Sequence, residues 1–135
     1  MKLLTKSSFG LLLIGICLLS FVGCGKNPAP AKVTGTVTLD GKPVPSAEIT
    51  FAPEDGSRLS QAMTDAEGKY ELRFSASTIG AVVGTHKVTI RTGPSEKSDD
   101  PNAPKETIPS KYNTESQLKE TLKSGKNVVN FDLTS

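Results

Sequence analysis

From Val33 to the C-terminus, apolar and polar positions alternate with a period of two, in short runs separated by turn residues. In Val33-Thr34-Gly35-Thr36-Val37-Thr38-Leu39 the residues Val33, Val37 and Leu39 fall on one side and three threonines on the other, the signature of a half-buried strand. Ala47 to Phe51 alternates in the same way after the turn-rich Asp40-Gly41-Lys42-Pro43-Val44-Pro45. A strand over Ser60 to Thr64, the turn Asp65-Ala66-Glu67-Gly68 and a strand over Lys69 to Phe74 follow, with Tyr70, Leu72 and Phe74 sharing a face. Gly84 to Arg91 places His86, Val88 and Ile90 together. Gln117 to Leu122 and Val128 to Leu133 close the chain, the latter with Val129, Phe131 and Leu133 inward. Only Glu115 to Lys123 carries enough helix-formers for helix to compete, and its short spacing to the next strand favours strand.

This grammar predicts an all-β fold, a seven-stranded antiparallel β-sandwich over residues 33–135. Its core would be Val33, Val37, Leu39, Ile49, Phe51, Tyr70, Leu72, Phe74, Val88, Ile90, Val129, Phe131 and Leu133. At about 1.5 to 3 kcal/mol for each large side chain fully buried, that set is the main folding term. Thr92 to Ser110, with Pro94, Pro101, Pro104 and Pro109 among charges, reads as a long exposed loop.

The first residues obey a different rule. Lys2 and Lys6 precede FGLLLIGICLLSFV, a continuously apolar or small run from Phe9 to Val22. A charged start, a short apolar stretch and small residues at its end form a secretory signal helix, too short for the roughly 20 residues that span a bilayer. The junction Phe21-Val22-Gly23-Cys24 resembles a bacterial lipoprotein signal, in which a small residue precedes a cysteine that takes diacylglycerol on sulfur and becomes the mature N-terminus. Gly23 and Cys24 match that pattern, while Phe21 stands where the family prefers leucine. The resemblance implies cleavage between Gly23 and Cys24, lipidation of Cys24 and residence in the cell envelope. The alternative is an ordinary signal cut nearby that leaves Cys24 a free thiol.

Residues 1–23 thus form the signal, Cys24 with residues 25–32 a lipidated spacer, and residues 33–135 the domain. The spacer, Gly25 to Lys32, is small, polar and proline-containing. Cleavage would also remove Cys17. One thiol and one histidine, His86, then leave neither an internal disulfide nor a metal cage, and no cofactor is expected.

Charge changes the picture in one respect. Loss of residues 1–23 takes Lys2 and Lys6 from the 16 basic residues and none of the 14 acids, which brings the formal net charge near zero. No basic stripe and few aromatics (Phe51, Tyr70, Phe74, Tyr112, Phe131) remain, which argues against nucleic acid as a partner.

Three segments, VTGTVTLDGKPVPSAEITF, TDAEGKYEL and VGTHKVTI, resemble the carboxypeptidase regulatory-like domain, a transthyretin-like seven-stranded sandwich. IPSKYN and KNVVNFDL resemble the closing part of small bacterial lipoproteins built on it. The resemblance covers nearly all of residues 33–135, implies the sandwich and specifies no chemistry. Asp40-Gly41 and Glu67-Gly68 are acid-glycine pairs suited to turns that need positive φ.

Candidate chemistry is sparse. A Ser-His-Asp triad would have to use His86, which shares a strand face with Val88 and Ile90 and reads as a packed histidine. Transthyretin-like enzymes of purine degradation carry several histidines and a Tyr-Arg-Gly-Ser end, where this chain ends Phe131-Asp132-Leu133-Thr134-Ser135. Asp65 with Glu67, and Asp99 with Asp100, lack the repeated oxygen ligands of a calcium loop. A Lys32–Asn130 isopeptide would need a buried lysine, and both residues alternate outward. No metal site follows. The reading is a non-catalytic, lipid-anchored envelope protein whose partners are the membrane, through its anchor, and an envelope protein or glycan. The alternative is a glycan-binding module of the same fold, for which Tyr112 is the one exposed ring; otherwise Tyr112 pins the loop with Ile108.

Overall fold

The computed structural model describes residues 30–94 and 98–135. The predicted signal helix, Gly23 and Cys24 lie outside the described residues. Within them the chain forms an all-β sandwich of two sheets around one apolar core, with a single 3-10 turn at Ser110–Tyr112. The seven expected runs become eleven short strands because two of them break and two further two-residue strands form at Lys42–Pro43 and Thr78–Ile79.

The first sheet is organised around β1 (Lys32–Leu39). One edge of β1 pairs antiparallel with β2 (Lys42–Pro43) and, later in the chain, with Lys69–Glu71. The other edge pairs in parallel with two C-terminal pieces, Lys126–Val128 and Phe131–Leu133, so the sandwich is not wholly antiparallel. The second sheet contains β3 (Glu48–Pro53), β4 (Ser60–Met63), β6 (Arg73–Ser75), β7 (Thr78–Ile79), β8 (Gly84–Arg91) and β9 (Lys119–Leu122), in the order β7-β6-β4-β3-β8-β9. The remaining strands of the first sheet are β5 (Lys69–Glu71), β10 (Lys126–Val128) and β11 (Phe131–Leu133).

The run from Lys69 to Phe74 changes sheets at Leu72. Its amide donates to the Val33 carbonyl in the first sheet, and its carbonyl accepts from Gly80 N beyond β7, while Arg73 next to it already pairs with Gln61 in the second sheet. Leu72 itself is fully buried at the crossing. Phe74, expected in the core, is half-buried beyond the crossing, with the Arg58 guanidinium 5.6 Å from its ring centre.

The C-terminal run breaks at Val129 and Asn130 for a different reason. In a parallel ladder Val129 would donate to Thr34 O and accept from Thr36 N. The donation is made, at 2.8 Å, but the Val129 carbonyl turns inward and takes the Tyr70 hydroxyl at 2.7 Å. Asn130 Oδ1 replaces it, accepting from Thr36 N at 3.0 Å and from Thr36 Oγ1 at 3.2 Å. The side chain thereby satisfies a backbone donor that the turned carbonyl abandons.

The core follows the alternation closely. Val33, Val37, Ile49, Phe51, Leu72, Val88 and Ile90 are fully buried, joined by Tyr70, Phe131 and Leu133; Leu39 and Val129 pack against them half-buried. Phe131 lies 6.2 Å from Phe51 edge-on and 6.4 Å from Tyr70 stacked, tying the two sheets together. The registers also fix two ends. The near pole gathers the start of β1, the β3–β4 loop at 54–59, the turns after β6 and β7, and the turn between β9 and β10. The far pole gathers Asp40-Gly41, the turn at 65–68, the loop leaving β8 and the C-terminus.

Candidate functional site

The junction read as the functional site, Gly23-Cys24, precedes the described residues, but the point where the chain joins the fold is well defined. Ala31 and Lys32, read from composition as the end of the spacer, are part of the sandwich. Ala31 is fully buried and exchanges two hydrogen bonds with Ala81, at 2.7 and 2.8 Å, and Lys32 N donates to Gly125 O at 2.8 Å. Gly80, at φ 117°, lets this clamp close, because a Cβ there would come within 2.6 Å of the Ala31 carbonyl oxygen.

His86 lies on the inner face of β8 as its alternation predicts, fully buried, its ring centre 5.7 Å from that of Phe51. Nε2 lies 2.7 Å from the Val82 carbonyl oxygen and must donate its proton there, since a carbonyl can only accept. Nδ1 is buried with no hydrogen-bond partner among the described residues. A general base would need that nitrogen facing a nucleophile, and no serine, threonine or cysteine hydrogen-bonds to it. Ser60 Oγ, on β4, is likewise buried without a partner among the described residues. Neither has the hydrogen-bonded chain of a catalytic triad.

Of the acids considered as calcium ligands, Asp65 and Asp100 are engaged in their own turns. Asp65 Oδ1 accepts from Glu67 N and Lys69 N, each at 2.9 Å, and Asp100 Oδ1 accepts from Asn102 N at 2.9 Å. Among the described residues no group of three or more His, Cys, Asp or Glu side chains is placed to hold a metal ion. Lys32 Nζ pairs with Glu71 at 3.3 Å and is exposed, away from Asn130, whose oxygen serves Thr36.

Tyr112 does pin the closing segment. Its hydroxyl accepts from Thr134 N at 3.1 Å and lies 3.3 Å from Thr134 Oγ1, and these bonds hold its pKa below the usual phenol value. Ile108 is buried beside it in the core cluster, as expected. The loop base is closed by Glu106, whose carboxylate accepts from Thr92 N (3.1 Å), Thr92 Oγ1 (3.0 Å), Gly93 N (3.3 Å) and Ile108 N (2.8 Å). Partial burial pushes this carboxyl up, but the four donors together outweigh it and hold it below the ordinary range. Burial pushes the Tyr70 phenol well up, with the Glu120 charge adding to it.

Two surface hollows were not foreseen. A groove of about 670 Å³ runs along the outer side of β3, β8 and β9, lined by Pro53, Lys87 and Gln117 and crossed by a Glu54–Lys119 ion pair. A smaller hollow of about 330 Å³ at the near pole lies between Arg58, Leu59, Arg73 and Phe74. Arg58 and Arg73 are distant in sequence and come together only because β6 joins the second sheet beside β4, so no local pattern announces them.

No protein-family model matches the chain, and no curated protein matches its sequence. Among solved structures the chain is similar to a DUF3823 family protein from Parabacteroides merdae, with 16% identity and a TM-score of 0.44. That likeness covers 78% of this chain and 47% of the other, so the chain spans about half the length of that protein.

Proposed function

We propose that the chain is a non-catalytic, lipid-anchored protein of the bacterial cell envelope, attached through Cys24 and displaying the sandwich as a binding or structural module. The observation that carries this reading is the placement of Gly23-Cys24 directly after the apolar run and a short spacer before a domain that is locked in at Ala31. Two or three acyl chains on one cysteine hold a protein stably, since each buried CH₂ contributes about 0.8 kcal/mol and two chains suffice. Asp65 is engaged in its turn, Tyr70 with Val129 and His86 Nε2 with Val82, and the unpartnered His86 Nδ1 and Ser60 Oγ are buried without a hydrogen-bonded nucleophile or base.

The glycan-binding alternative would need a flat exposed ring platform. Among the described residues Phe51, Tyr70 and Phe131 are buried, Phe74 lies under Arg58, and Tyr112 is half-buried under Lys111 with its hydroxyl bound to Thr134. No observation favours it. The test is intact-mass and N-terminal peptide analysis of the membrane-extracted protein beside Cys24→Ala. The expected result is a mature chain beginning at an acylated Cys24, and a variant that is released or left uncleaved. An unacylated mature N-terminus in the wild type would sink the reading.

A further inference from the structure

We propose that the near pole of the sandwich is a membrane-docking face that lies on anionic lipid headgroups once the anchor has brought the domain to the bilayer. The proposal rests on the lipid-anchor reading and adds an orientation and a ligand class to it.

The first observation is the tether. The chain from Cys24 to Ala31 can reach at most roughly 25 Å even when fully extended. Ala31 stands at the near pole, so that end of the sandwich is held close to whatever carries Cys24.

The second is the distribution of charge, which the near-zero total conceals. Lys32, Arg58, Arg73, Lys123 and Lys126 are all exposed and cluster toward the near pole. Of the acids there, Glu71 pairs with Lys32 and Glu54 with Lys119, which leaves Asp55 and Glu120 against the larger set of cations without an ion pair among the described residues, Arg58, Arg73, Lys123 and Lys126. At the far pole, by contrast, Asp40, Asp65, Glu67, Asp99, Asp100 and Glu106 outnumber the lysines beside them, Lys42, Lys69, Lys105 and Lys111. An anionic surface therefore attracts one end of the molecule and repels the other, which orients it as well as holding it.

The third is apolar exposure, independent of the charges. Of the four exposed large hydrophobics among the described residues, Leu59 (45%), Ile79 (41%) and Val128 (67%) lie toward the near pole, and only Met63 lies toward the other end. Leu59 belongs to the Arg58–Arg73 hollow, and Ile79 is the register partner of Arg73. Guanidinium groups flanked by apolar side chains match a lipid headgroup, whose phosphate sits directly above acyl chain.

The test uses the acylated full chain in vesicles of phosphatidylcholine alone and of phosphatidylcholine with phosphatidylglycerol. A fluorophore is attached either at the near pole (Ala76→Cys) or at the far pole (Glu67→Cys), and quenching by headgroup nitroxide lipid is read. Expected is stronger quenching of the near-pole label on anionic vesicles, weak quenching of the far-pole label, and loss of the difference at high salt. Each cation near an anionic leaflet shifts the docked population about five-fold, so R58S/R73S and K123S/K126S should each reduce the anionic preference more than ten-fold while circular dichroism stays unchanged. Equal quenching of both labels on both vesicles would overturn the docking face and leave the anchor standing. A wild-type chain that fails to stay with either vesicle would overturn the anchor itself. Relief of quenching by millimolar inorganic phosphate, with the protein still attached, would overturn the lipid as ligand.

Discussion

The carbonyl of Val129 occupies the space that a side chain on Gly35 would need. A Cβ built on Gly35 overlaps the Val129 carbonyl oxygen and comes within 3.0 Å of the Tyr70 ring. Gly35→Ala must therefore push the carbonyl back toward the β1 ladder, separate it from the Tyr70 hydroxyl and displace a ring in the core. The expected loss is about 3 kcal/mol in urea unfolding, at the upper end for overpacking. A loss under about 1 kcal/mol would mean that the C-terminal strand yields without strain.

Tyr70→Phe probes the same carbonyl from the other side. The ring stays, stacked on Phe131, and only the hydroxyl goes, so the Val129 oxygen is left buried without its donor. The expected destabilisation is about 1 to 2 kcal/mol, smaller than that of Gly35→Ala. Because both changes act on one carbonyl, the double variant should fall short of the sum of the two.

Ser60→Ala is expected to act in the opposite direction. The Ser60 hydroxyl is fully buried opposite Phe51 and has no hydrogen-bond partner. Removing a desolvated, unpaired hydroxyl should raise stability by about 1 kcal/mol in thermal unfolding, with a correspondingly higher Tm. A decrease would reveal a partner for this oxygen in solution.

The loop base should respond to acid through Glu106. Its folded pKa lies below the unfolded value of about 4.3, so the charged form stabilises the folded loop. That contribution is fully present above about 4.3 and is lost as pH falls through the lower, folded value. Protection of the Thr92, Gly93 and Ile108 amides against hydrogen exchange should fall across that range in the wild type. In Glu106→Gln it should already be low at neutral pH and change little on acidification.

Much of the fold was legible because the strands are half-buried, and half-burial writes itself into alternation. Lys32–Leu39, Glu48–Pro53 and Gly84–Arg91 carry that signal, and His86 was correctly placed on the inner face by it. The crossing at Leu72 was hidden because Tyr70, Leu72 and Phe74 alternate without interruption, while the change of partner is decided by Val33, Gln61 and Gly80 elsewhere in the chain. Phe74 was misplaced for the same reason. The parallel pairing of β1 with β10 and β11 joins segments 94 positions apart, as the Thr36–Asn130 bond records, and nothing local encodes that direction. The Gly23-Cys24 junction is a contiguous pattern and lies outside the described residues. The near pole could not be read from the sequence, since its cations and apolar side chains come from strand ends and loops far apart in sequence that meet only in the folded chain.

The parallel pairing of β1 has a mechanical consequence. The chain joins the sandwich at Ala31 at one end, and β11 finishes at Leu133 at the other, beside Leu39. Tension applied between the chain entering at Ala31 and the end of β11 would pull β1 and its parallel neighbours past each other along their length. The rungs lie across that direction and must rupture together under shear, not open one after another like a zipper. Pulled from a surface, this sandwich should resist in its first strand, with Tyr70 and Asn130 as the cross-ties that keep the two sides of the interrupted ladder in step.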